Sequence, residues 1–597
     1  MKRFHFLVTL LFFHTLFSQP FNGYQKIWAT YFGGQATRFT NSVVDSEGNL
    51  IAFADVIGGF NTVLHDESYY NQFVIPTNPN LMYDVNLVNP GGAYSYQTLV
   101  AKFSPSGQLL QSGYLPFYSY RIKIDSNNNL YFFGETLSDN LATPGSWLSA
   151  PFDTTIKLVM AKVNPDFSIN WLTYIPPSTG GITQFCIDDN LNVYYVSSTS
   201  VTSGITTPGT FQPGFITEYD TSGQVYNNGY IFKLNTNGQL QWATYCGITT
   251  AFAIDYSNGE NAVVVVQNRL DENPSLTQYD NYYITADAYQ QNPTKNIVSK
   301  FDIDNGQRIY GSYFGDVILT HIVCDRSGGY YFLGLSDNPS VSSLITSSAY
   351  QTTFGGTADV YLGKTTYDLN PVWGTYIGGS EWDEPNFESG LVLKNDALYF
   401  AGLTLSTNNF INGSNTYQTV NNGNGDIFMM KFSKTGNLIW GSFFGGSAQE
   451  GLGGSIAPVN DEVFYLVGDT YSSSAIVTPG CYQPALNFHP SYPSSNFGNG
   501  FIARFAPQEE LANQNFQTNS FTLYPNPANQ YITLQTNNLQ PNSQLTIYNN
   551  IGQKVLNTQL TTATEQNIDI TTLASGIYYV EIKTESETIK KQKLIIK

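Results

Sequence analysis

Short apolar stretches alternate with turn residues along most of the chain, a pattern that predicts many short β-strands. One stretch recurs seven times as an aromatic-rich strand, best preserved as "WATYFGG", "WGTYIGG" and "WGSFFGG". The copies begin at Trp28, Gln111, Trp171, Trp242, Tyr310, Trp373 and Trp440, roughly 60 to 83 residues apart. Self-similarity of this kind indicates a repeat architecture rather than one ordinary core.

Two further elements repeat with the aromatic strand. The first is a strand that carries a basic residue just before a turn, at Lys102, Lys162, Lys233, Lys300, Lys364, Lys431 and Arg504. The second is a pair of apolar strands around a turn rich in Asp, Asn and Gly, with copies from Val43, Ile124, Ile187, Ile254, Val323, Val392 and Val459. Such turn residues tolerate the positive φ of a tight hairpin.

Each repeat therefore supplies four strands, and seven repeats predict an all-β fold, a seven-bladed β-propeller over residues 26–505. The two ends carry incomplete units. The strand at residues 27–34 has no basic strand before it, and the strand at Arg504 has no aromatic strand after it. We expect the N-terminal strand to close the ring as the outer strand of the last blade, which removes an exposed sheet edge.

The pattern changes near the C-terminus. Residues 506–517 are rich in Glu, Asn, Gln and Ala and indicate a linker. Residues 518–597 contain alternating strands separated by turns at Gly552 and Gly576. This second pattern predicts a small Ig-like β-sandwich.

Composition agrees with an all-β protein. Aromatic residues make up 15% of the chain and charged residues 12%, and the net charge is −19. An acidic chain is repelled by phosphate backbones, so nucleic acid is not an expected partner. The cysteines, Cys186, Cys246, Cys324 and Cys481, have no zinc-site spacing, and we expect buried free thiols, although the sequence leaves a disulfide open.

The first residues resemble a targeting segment. Lys2 and Arg3 precede an apolar run, and a small-residue site follows, so residues 1–18 predict a signal peptide cleaved between Ser18 and Gln19. No later apolar stretch is long enough to span a bilayer, so no membrane insertion of the mature chain is expected.

Two resemblances follow from these motifs. The repeat, best preserved over residues 426–446, resembles the bacterial β-propeller repeat found in exported proteins, a family that implies no single activity. The C-terminal domain resembles the type A sorting domain of type IX secretion substrates. The matching residues are Tyr524, Pro525, Asn526, Pro527, Gly552, Gly576, Tyr578 and Lys597. This resemblance implies the type IX secretion machinery as a partner. It also implies a secreted protein, or one attached to the outer-membrane surface of a Gram-negative bacterium.

Candidate chemistry is sparse. The only histidines after the signal segment are His65, His321 and His489, in different blades, and no linear nucleophile, zinc or phosphate-binding motif is present. The acidic run "EWDEP" from Glu381 leaves catalysis, metal binding and a solvated loop open. The turns at Asp45 and Asp125 resemble the start of a calcium loop but lack its distal Glu, so turn geometry is the favoured interpretation. No cofactor is expected, and calcium stays open.

Two insertions interrupt the repeat, at residues 58–97 and 484–499. Their tyrosines are candidate ligand contacts, because loops beyond the needs of a scaffold often carry recognition: Tyr69, Tyr70, Tyr83, Tyr94, Tyr96 and Tyr492. The expected function is binding or adhesion to a glycan or a protein. A secreted polysaccharide hydrolase or lyase and a structural surface component are the alternatives.

Overall fold

The computed structural model describes residues 23–58, 73–74, 78–82, 95–152, 157–179, 184–269, 274–326, 328–411, 415–451, 454–488, 498–507, 521–536, 543–549, 553–561, 563–583 and 588–597. The chain divides into two compact units, Met1–Gln508 and Glu509–Lys597. Strands dominate both units, which confirms the all-β prediction. The helices of the described residues are three short 3-10 turns at Asn258–Glu260, Pro274–Tyr282 and Pro339–Leu344.

The first unit consists of antiparallel sheets that follow one another along the chain, seven of them in the described residues. Sheet 1 contains β2 (Thr37–Val44), β3 (Leu50–Gly58), β4 (Ser95–Phe103) and β5 (Leu109–Tyr114). Sheet 2 contains β6 (Tyr118–Ile124), β7 (Leu130–Thr136), β8 (Lys157–Val163) and β9 (Ile169–Tyr174). Sheet 3 contains β10 (Gln184–Ile187), β11 (Val193–Thr199), β12 (Asn228–Leu234) and β13 (Leu240–Tyr245).

The remaining sheets repeat this order. Sheet 4 contains β14 (Thr249–Ser257), β15 (Ala262–Arg269), β16 (Asn296–Asp302) and β17 (Arg308–Tyr313). Sheet 5 contains β18 (Ile318–Asp325), β19 (Gly329–Ser336), β20 (Asp359–Thr365) and β21 (Pro371–Ile377). In sheet 6 the first strand is split, giving β22 (Asp383–Pro385), β23 (Val392–Lys394), β24 (Ala397–Thr404), β25 (Asp426–Ser433) and β26 (Leu438–Phe444).

Sheet 7 joins the two ends of this unit. It contains β27 (Ser455–Pro458), β28 (Phe464–Thr470), β29 (Asn499–Pro507) and, as its outer strand, β1 (Tyr24–Gln35). The first strands of the sheets contact one another in series from β2 through β6, β10, β14, β18, β23 and β27, and β27 contacts β2 again. The series is therefore closed.

The repeated basic residue has a structural role in most sheets. In sheet 2, Lys162 lies over the ring of Tyr131 at 5.2 Å and within 4.0 Å of Asp125. In sheet 5, Lys364 lies over Tyr331 at 4.9 Å. The turn aspartate caps its own hairpin, since Asp45 Oδ1 accepts hydrogen bonds from the backbone N–H groups of Glu47 and Asn49. These contacts agree with the turn interpretation of the Asp-rich loops.

The repeated Trp fastens one sheet to the next. The indole Nε1 of Trp171 in sheet 2 donates to Thr236 O in sheet 3, and that of Trp242 in sheet 3 donates to Ile303 O in sheet 4, both at 2.9 Å. A glycine of the receiving turn lies against each ring. At Gly306, with φ +68°, a Cβ would lie 2.7 Å from Trp242 Cε3. The tight turn and the close approach both require Gly there.

The second unit has two sheets around one core. One sheet contains β30 (Phe521–Tyr524), β31 (Tyr531–Thr536) and β34 (Glu565–Asp569). The other contains β32 (Gln544–Asn549), β33 (Lys554–Gln559), β35 (Gly576–Lys583) and β36 (Thr588–Ile596). Residues from both sheets share the core, among them Ile532, Leu534, Ile547, Val580 and Leu594.

Candidate functional site

A polar cavity lies where the first strands of the sheets converge. Its volume is about 250 Å³. Its walls come from six sheets and the segment before β23: Asn41, Arg121, Ile122, Lys123, Gln184, Phe185, Ile254, Asp255, His321, Ile322, Val323, Glu388, Ser389, Leu391, Val392 and Leu393. The shared first-strand position explains why residues so distant in sequence meet here.

An ion-pair cluster adjoins the cavity through Glu388. Arg38 Nη2 is 2.9 Å from Asp55 Oδ2 and 3.5 Å from Glu388 Oε1. Burial disfavours the charge of Arg38, but Glu388 and Asp55 outweigh it and raise the pKa of the guanidinium. Burial raises the pKa of Asp55 against the opposing effect of Arg38. With 1% of its surface exposed, Asp55 can hold Arg38 but cannot reach a ligand.

Two cations of β6 face the same region. Arg121 donates from Nη1 to Tyr120 O at 2.9 Å and from Nη2 to Phe387 O at 3.1 Å. Neither Arg121 nor Lys123 forms an ion pair with any residue that the structure describes. Burial lowers the pKa of Arg121, while Glu388 opposes that shift.

His321 of β18 lines the cavity as a neutral ring. Its Nδ1 lies 3.0 Å from Thr320 Oγ1, and 6% of the residue is exposed. Burial, followed by the charges of Arg121 and Lys123, lowers the pKa of His321 to about 3. The ring is therefore uncharged at neutral pH, which makes it a poor proton donor there.

Asp255 joins the cavity to a second one. This second cavity measures about 180 Å³ and is lined by Ile187, Asp189, Asp255, Tyr256, Asn258, Cys324 and Arg326. The Asp255 carboxylate accepts a 2.8 Å hydrogen bond from the backbone N–H of Cys324. Burial raises the pKa of Asp255, with Lys123 opposing. Polar groups thus continue along the first strands beyond the first cavity.

The arrangement can hold a small polar ligand. It offers cations and amides as donors and carboxylates as acceptors, with apolar walls from residues such as Phe185 and Ile254. Within the described part of the chain, no group of three or more His, Cys, Asp or Glu side chains could hold a metal ion.

Several sequence-predicted residues lie elsewhere. Tyr69, Tyr70, Tyr83, Tyr94 and Tyr492, together with His65, His489, Ser18, Gln19 and Gly552, lie outside the described residues. The backbone of Tyr96 belongs to β4, opposite Ile57. These candidates therefore remain predictions.

Two expectations need correction. A solvated loop is one interpretation of the run at residues 381–385. Glu381 is exposed, but Asp383 is fully buried, because residues 383–385 form β22 against β24. The cysteines of the structure are all free. Cys186 and Cys246 are buried as expected, whereas Cys324 and Cys481 are partly exposed. Cys186 and Cys324 do occupy first strands of different sheets, β10 and β18.

Sequence reasoning missed Arg38, Arg121 and Glu388. Arg121 occupies one of the alternating polar positions of β6, together with Ser119 and Lys123, so the sequence pattern does not distinguish it from an exposed side chain. Nothing in the sequence pairs Arg38 with Glu388, since they lie in different sheets.

In the second unit the sorting motifs meet at the last strand. Asn526 Oδ1 accepts a 2.9 Å hydrogen bond from Ile595 N, and Lys597 N donates to Ala528 O at 2.9 Å. Tyr578, at 8% exposure, donates to Ala574 O beside Gly576. Tyr524 is 41% exposed and donates to Glu565 Oε1. The structure thus brings residues 525–527 and the C-terminus together.

No helix of the described residues is long and apolar enough to cross a membrane. No curated protein matches the chain. Some solved structures are similar to this chain at low sequence identity. They include a quinohemoprotein alcohol dehydrogenase from Comamonas testosteroni, at 9% identity over 81% of this chain and 76% of that one, with a TM-score of 0.33.

Two further structures match at a similar level. An acylaminoacyl peptidase in complex with Z-Gly-Gly-Phe-chloromethyl ketone is 8% identical over 84% of this chain and 58% of its own, with a TM-score of 0.35. The AfRom2 CNH domain is 7% identical over 81% and 98%, also with a TM-score of 0.35. Likeness at this level carries no argument about activity.

The C-terminal comparison is specific. Residues 522–597 match the family described as secretion system C-terminal sorting domain. The match covers the strands from β30 to β36 and the turn that Asn526 fastens to the last strand. This all-β, propeller-like chain therefore ends in a type IX secretion sorting domain, which indicates export and a surface or secreted location.

Proposed function

We propose that this protein is an exported seven-bladed β-propeller that binds a polar ligand, a glycan or a protein side chain, in the cavity formed by its first strands. The sorting domain delivers it through the type IX secretion machinery and folds as an Ig-like sandwich. It follows the linker expected over residues 506–517, of which residues 506 and 507 belong to β29. The observation that carries the binding proposal is the convergence of polar side chains on one cavity: Arg121 and Lys123 from β6, Gln184 from β10, Asp255 from β14 and Glu388 from the segment before β23.

Binding is favoured over catalysis by the state of the titratable groups. His321 is uncharged at neutral pH, and Asp55 is too buried to touch a substrate. A hydrolase or lyase acting on polysaccharide would need an accessible acid and base at the reacting bond. Of the carboxyl groups that line the cavity, Asp255 is held by the backbone N–H of Cys324 and Glu388 lies 3.5 Å from Arg38. We further propose that the tyrosines of the two insertions add contacts to the same ligand.

An oligosaccharide array probed with the full exported chain tests the binding proposal. The Lys123→Ala and Glu388→Gln variants should lose the signal of any sugar that the wild type binds. Lys554→Ala, an exposed lysine of the other unit, is the matched control and should retain it. Equal signals from all four proteins would exclude the cavity, and release of sugar fragments by wild type alone would favour the enzyme.

A further inference from the structure

A buried polar residue stands at or near the start of the third strand in each described sheet of the first unit. These residues are Gln97, Lys157, Asn228, Asn296, Asp359, Asp426 and Asn499. All are at most 6% exposed. Their side chains form hydrogen bonds with the loop before the strand or with the end of the neighbouring strand, so the position recurs for a structural reason.

In four sheets this residue donates to a backbone carbonyl. Gln97 Nε2 donates to Leu115 O, and Lys157 Nζ donates to Leu137 O at 2.7 Å. Asn228 Nδ2 donates to Ile216 O at 2.9 Å, and Asn296 Nδ2 donates to Phe314 O at 3.2 Å. The opposite side of the Asn228 amide accepts, since its Oδ1 receives hydrogen bonds from Gln212 Nε2 and Ile216 N, both at 3.0 Å.

Asp359 in sheet 5 and Asp426 in sheet 6 reproduce only the accepting half. Asp359 Oδ2 accepts from Gly355 N at 2.7 Å and Gln351 Nε2 at 3.1 Å. Asp426 Oδ2 accepts from Gln418 Nε2 at 2.6 Å and Asn422 N at 2.9 Å. The other oxygen, Oδ1, takes the place of the amide nitrogen, the atom that donates in sheets 3 and 4. In both residues it is buried without a hydrogen-bond partner.

A second carboxyl group accompanies each of these aspartates. A Cβ atom at Gly445 would overlap both Asp426 Oδ1 and Glu450 Oε2, which places the two carboxyl groups side by side. Gly378 has the same relation to Asp359 Oδ1, and Asp383 Oδ2 would lie 3.1 Å from its Cβ. All four acidic residues are fully buried. After sheet 3, by contrast, the first strand of the next sheet begins with Thr249 rather than with an acidic residue.

We propose that the pairs Asp359–Asp383 and Asp426–Glu450 each hold one proton in the folded protein. The protonated carboxyl then supplies the donor that the asparagine amide supplies in sheets 3 and 4, whereas in sheet 7 the amide nitrogen of Asn499 has no hydrogen-bond partner among the described residues. Two adjacent buried carboxylates cannot both stay ionised without a large cost, whereas one shared proton removes the repulsion and gives the unpartnered oxygen a role.

The surroundings of the pairs offer no compensating cation. The charged or titratable groups that face them are Glu381 at Asp383, Tyr376 at Asp359, and Tyr31 at Glu450. No described Lys, Arg or His forms an ion pair with any of the four acids. Burial raises the pKa of Asp359 to about 6, and Asp383 adds to that shift. Burial also raises the pKa of Glu450, Asp426 and Asp383.

A proton fits these pairs better than calcium. Calcium takes about six to eight oxygen ligands in proteins. In the Asp359–Asp383 pair both Oδ2 atoms already accept hydrogen bonds, Asp383 Oδ2 from Gly379 N at 2.6 Å and Ser406 Oγ at 2.7 Å. Only the two Oδ1 atoms remain, too few for such a site.

A pH-dependent stability follows. The folded pKa of each pair is raised above the unfolded value of about 4. The stabilisation is therefore complete below that value and is lost as the pH rises through the folded pKa, near 6 for Asp359. Sheets 5 and 6 should therefore loosen as the pH rises from about 4 to above the folded pKa values, about 6 for Asp359 and about 7 for Glu450, whereas sheets 3 and 4 should not.

Thermal melts of the full chain at pH 5 and pH 8.5 test this proposal. The melting temperature of the wild type should fall between the two conditions. The fall should be smaller for the double variant Asp359→Asn with Asp426→Asn, which should fold because asparagine occupies this position in three other sheets. Asn228→Asp is the matched control, since it adds a carboxyl without an acidic partner and should enlarge the fall.

Difference infrared spectroscopy at pH 5, below the folded pKa of about 6 for Asp359, provides a second readout. The carbonyl stretch of a protonated carboxylic acid should be present in the wild type and reduced in the double variant. Absence of that band, or an equal fall in melting temperature for wild type and double variant, would overturn the proposal. So would a calcium-dependent rise in the wild-type melting temperature at pH 8.5 that the double variant lacks, because the pairs would then hold a cation.

Discussion

Trp28 of β1 pairs directly with Arg504 of β29, although nearly the whole sequence of the first unit lies between them. The same register joins Trp171 to Lys162 and Trp242 to Lys233 within single repeats. The two ends of the unit therefore complete one repeat between them. Trp28 also reaches the next sheet, since its Nε1 donates to Pro105 O at 2.9 Å.

Removing residues 27–34 should therefore destabilise the protein severely. Tyr31 and Phe32 are fully buried, and burial of one large aromatic side chain contributes roughly 1.5–3 kcal/mol. The lost strand would also leave β29 as an open edge prone to association. Thermal melts with light scattering should compare chains beginning at Gln35 and Gln19, with a chain beginning at Gly23 as control. Equal melting temperatures for the first two would contradict closure through β1.

Replacing the indole that joins two sheets should cost more than replacing one that only packs. Trp242→Phe removes the 2.9 Å bond to Ile303 O, a carbonyl that keeps its 2.9 Å bond from Lys233 Nζ. We expect a loss of roughly 0.5–1.5 kcal/mol in the free energy of unfolding, the net contribution of one hydrogen bond. Trp147→Phe is the control, because its ring packs on Phe232 at 5.0 Å. Denaturant melts measure both, and equal losses would mean that the hydrogen bond adds nothing.

Two glycines with positive φ separate steric fit from backbone strain. Gly204 has φ +81° and open space where a Cβ would stand, whereas a Cβ at Gly306, φ +68°, would press on Trp242. Gly204→Ala should cost about 1–2 kcal/mol from the backbone alone. Gly306→Ala should cost about 1–3 kcal/mol more through overpacking. Urea denaturation compares them, and similar losses would show that the turn yields easily.

The free thiols should differ in reactivity. Burial raises the pKa of Cys186 and Cys246, so neither should form a thiolate in the native state. Cys481 is partly exposed and should react first with a thiol-specific reagent at pH 8. Mass spectrometry of timed labelling identifies the modified residue. Early labelling of Cys186 would show that the first strands open readily, and labelling of all four should require denaturant.

The repeated strands were predictable because their period and turn chemistry are local. Lys162 and Trp171 are close in sequence and pair within one hairpin, so the strands of that repeat can be predicted locally. The other repeats can then be predicted by comparison with it. The cavity was not predictable, because Arg38 and Glu388 meet only once all sheets are placed. The burial of Asp383 was not predictable for a related reason. The acidic run around it is typical of a loop, but Asp383 is buried because it pairs with Thr404 of β24.

The sorting domain should be needed for delivery but not for folding of the first unit. Deleting residues 521–597 should leave the propeller-like unit with an unchanged melting temperature, because the chain divides after Gln508. The truncated protein should remain in the periplasm.

A finer variant, Asn526→Ala, removes the acceptor of Ile595 N and should loosen the turn at residues 525–527 from the last strand. Immunoblots of periplasm and medium measure export for wild type, the deletion and Asn526→Ala. Thr558→Ala in the exposed strand β33 is the control and should be exported normally. Normal levels of the deletion variant in the medium would show that another part of the chain carries the export signal. If Asn526→Ala is not exported while Thr558→Ala is, the export signal includes the turn at residues 525–527, which Asn526 joins to β36.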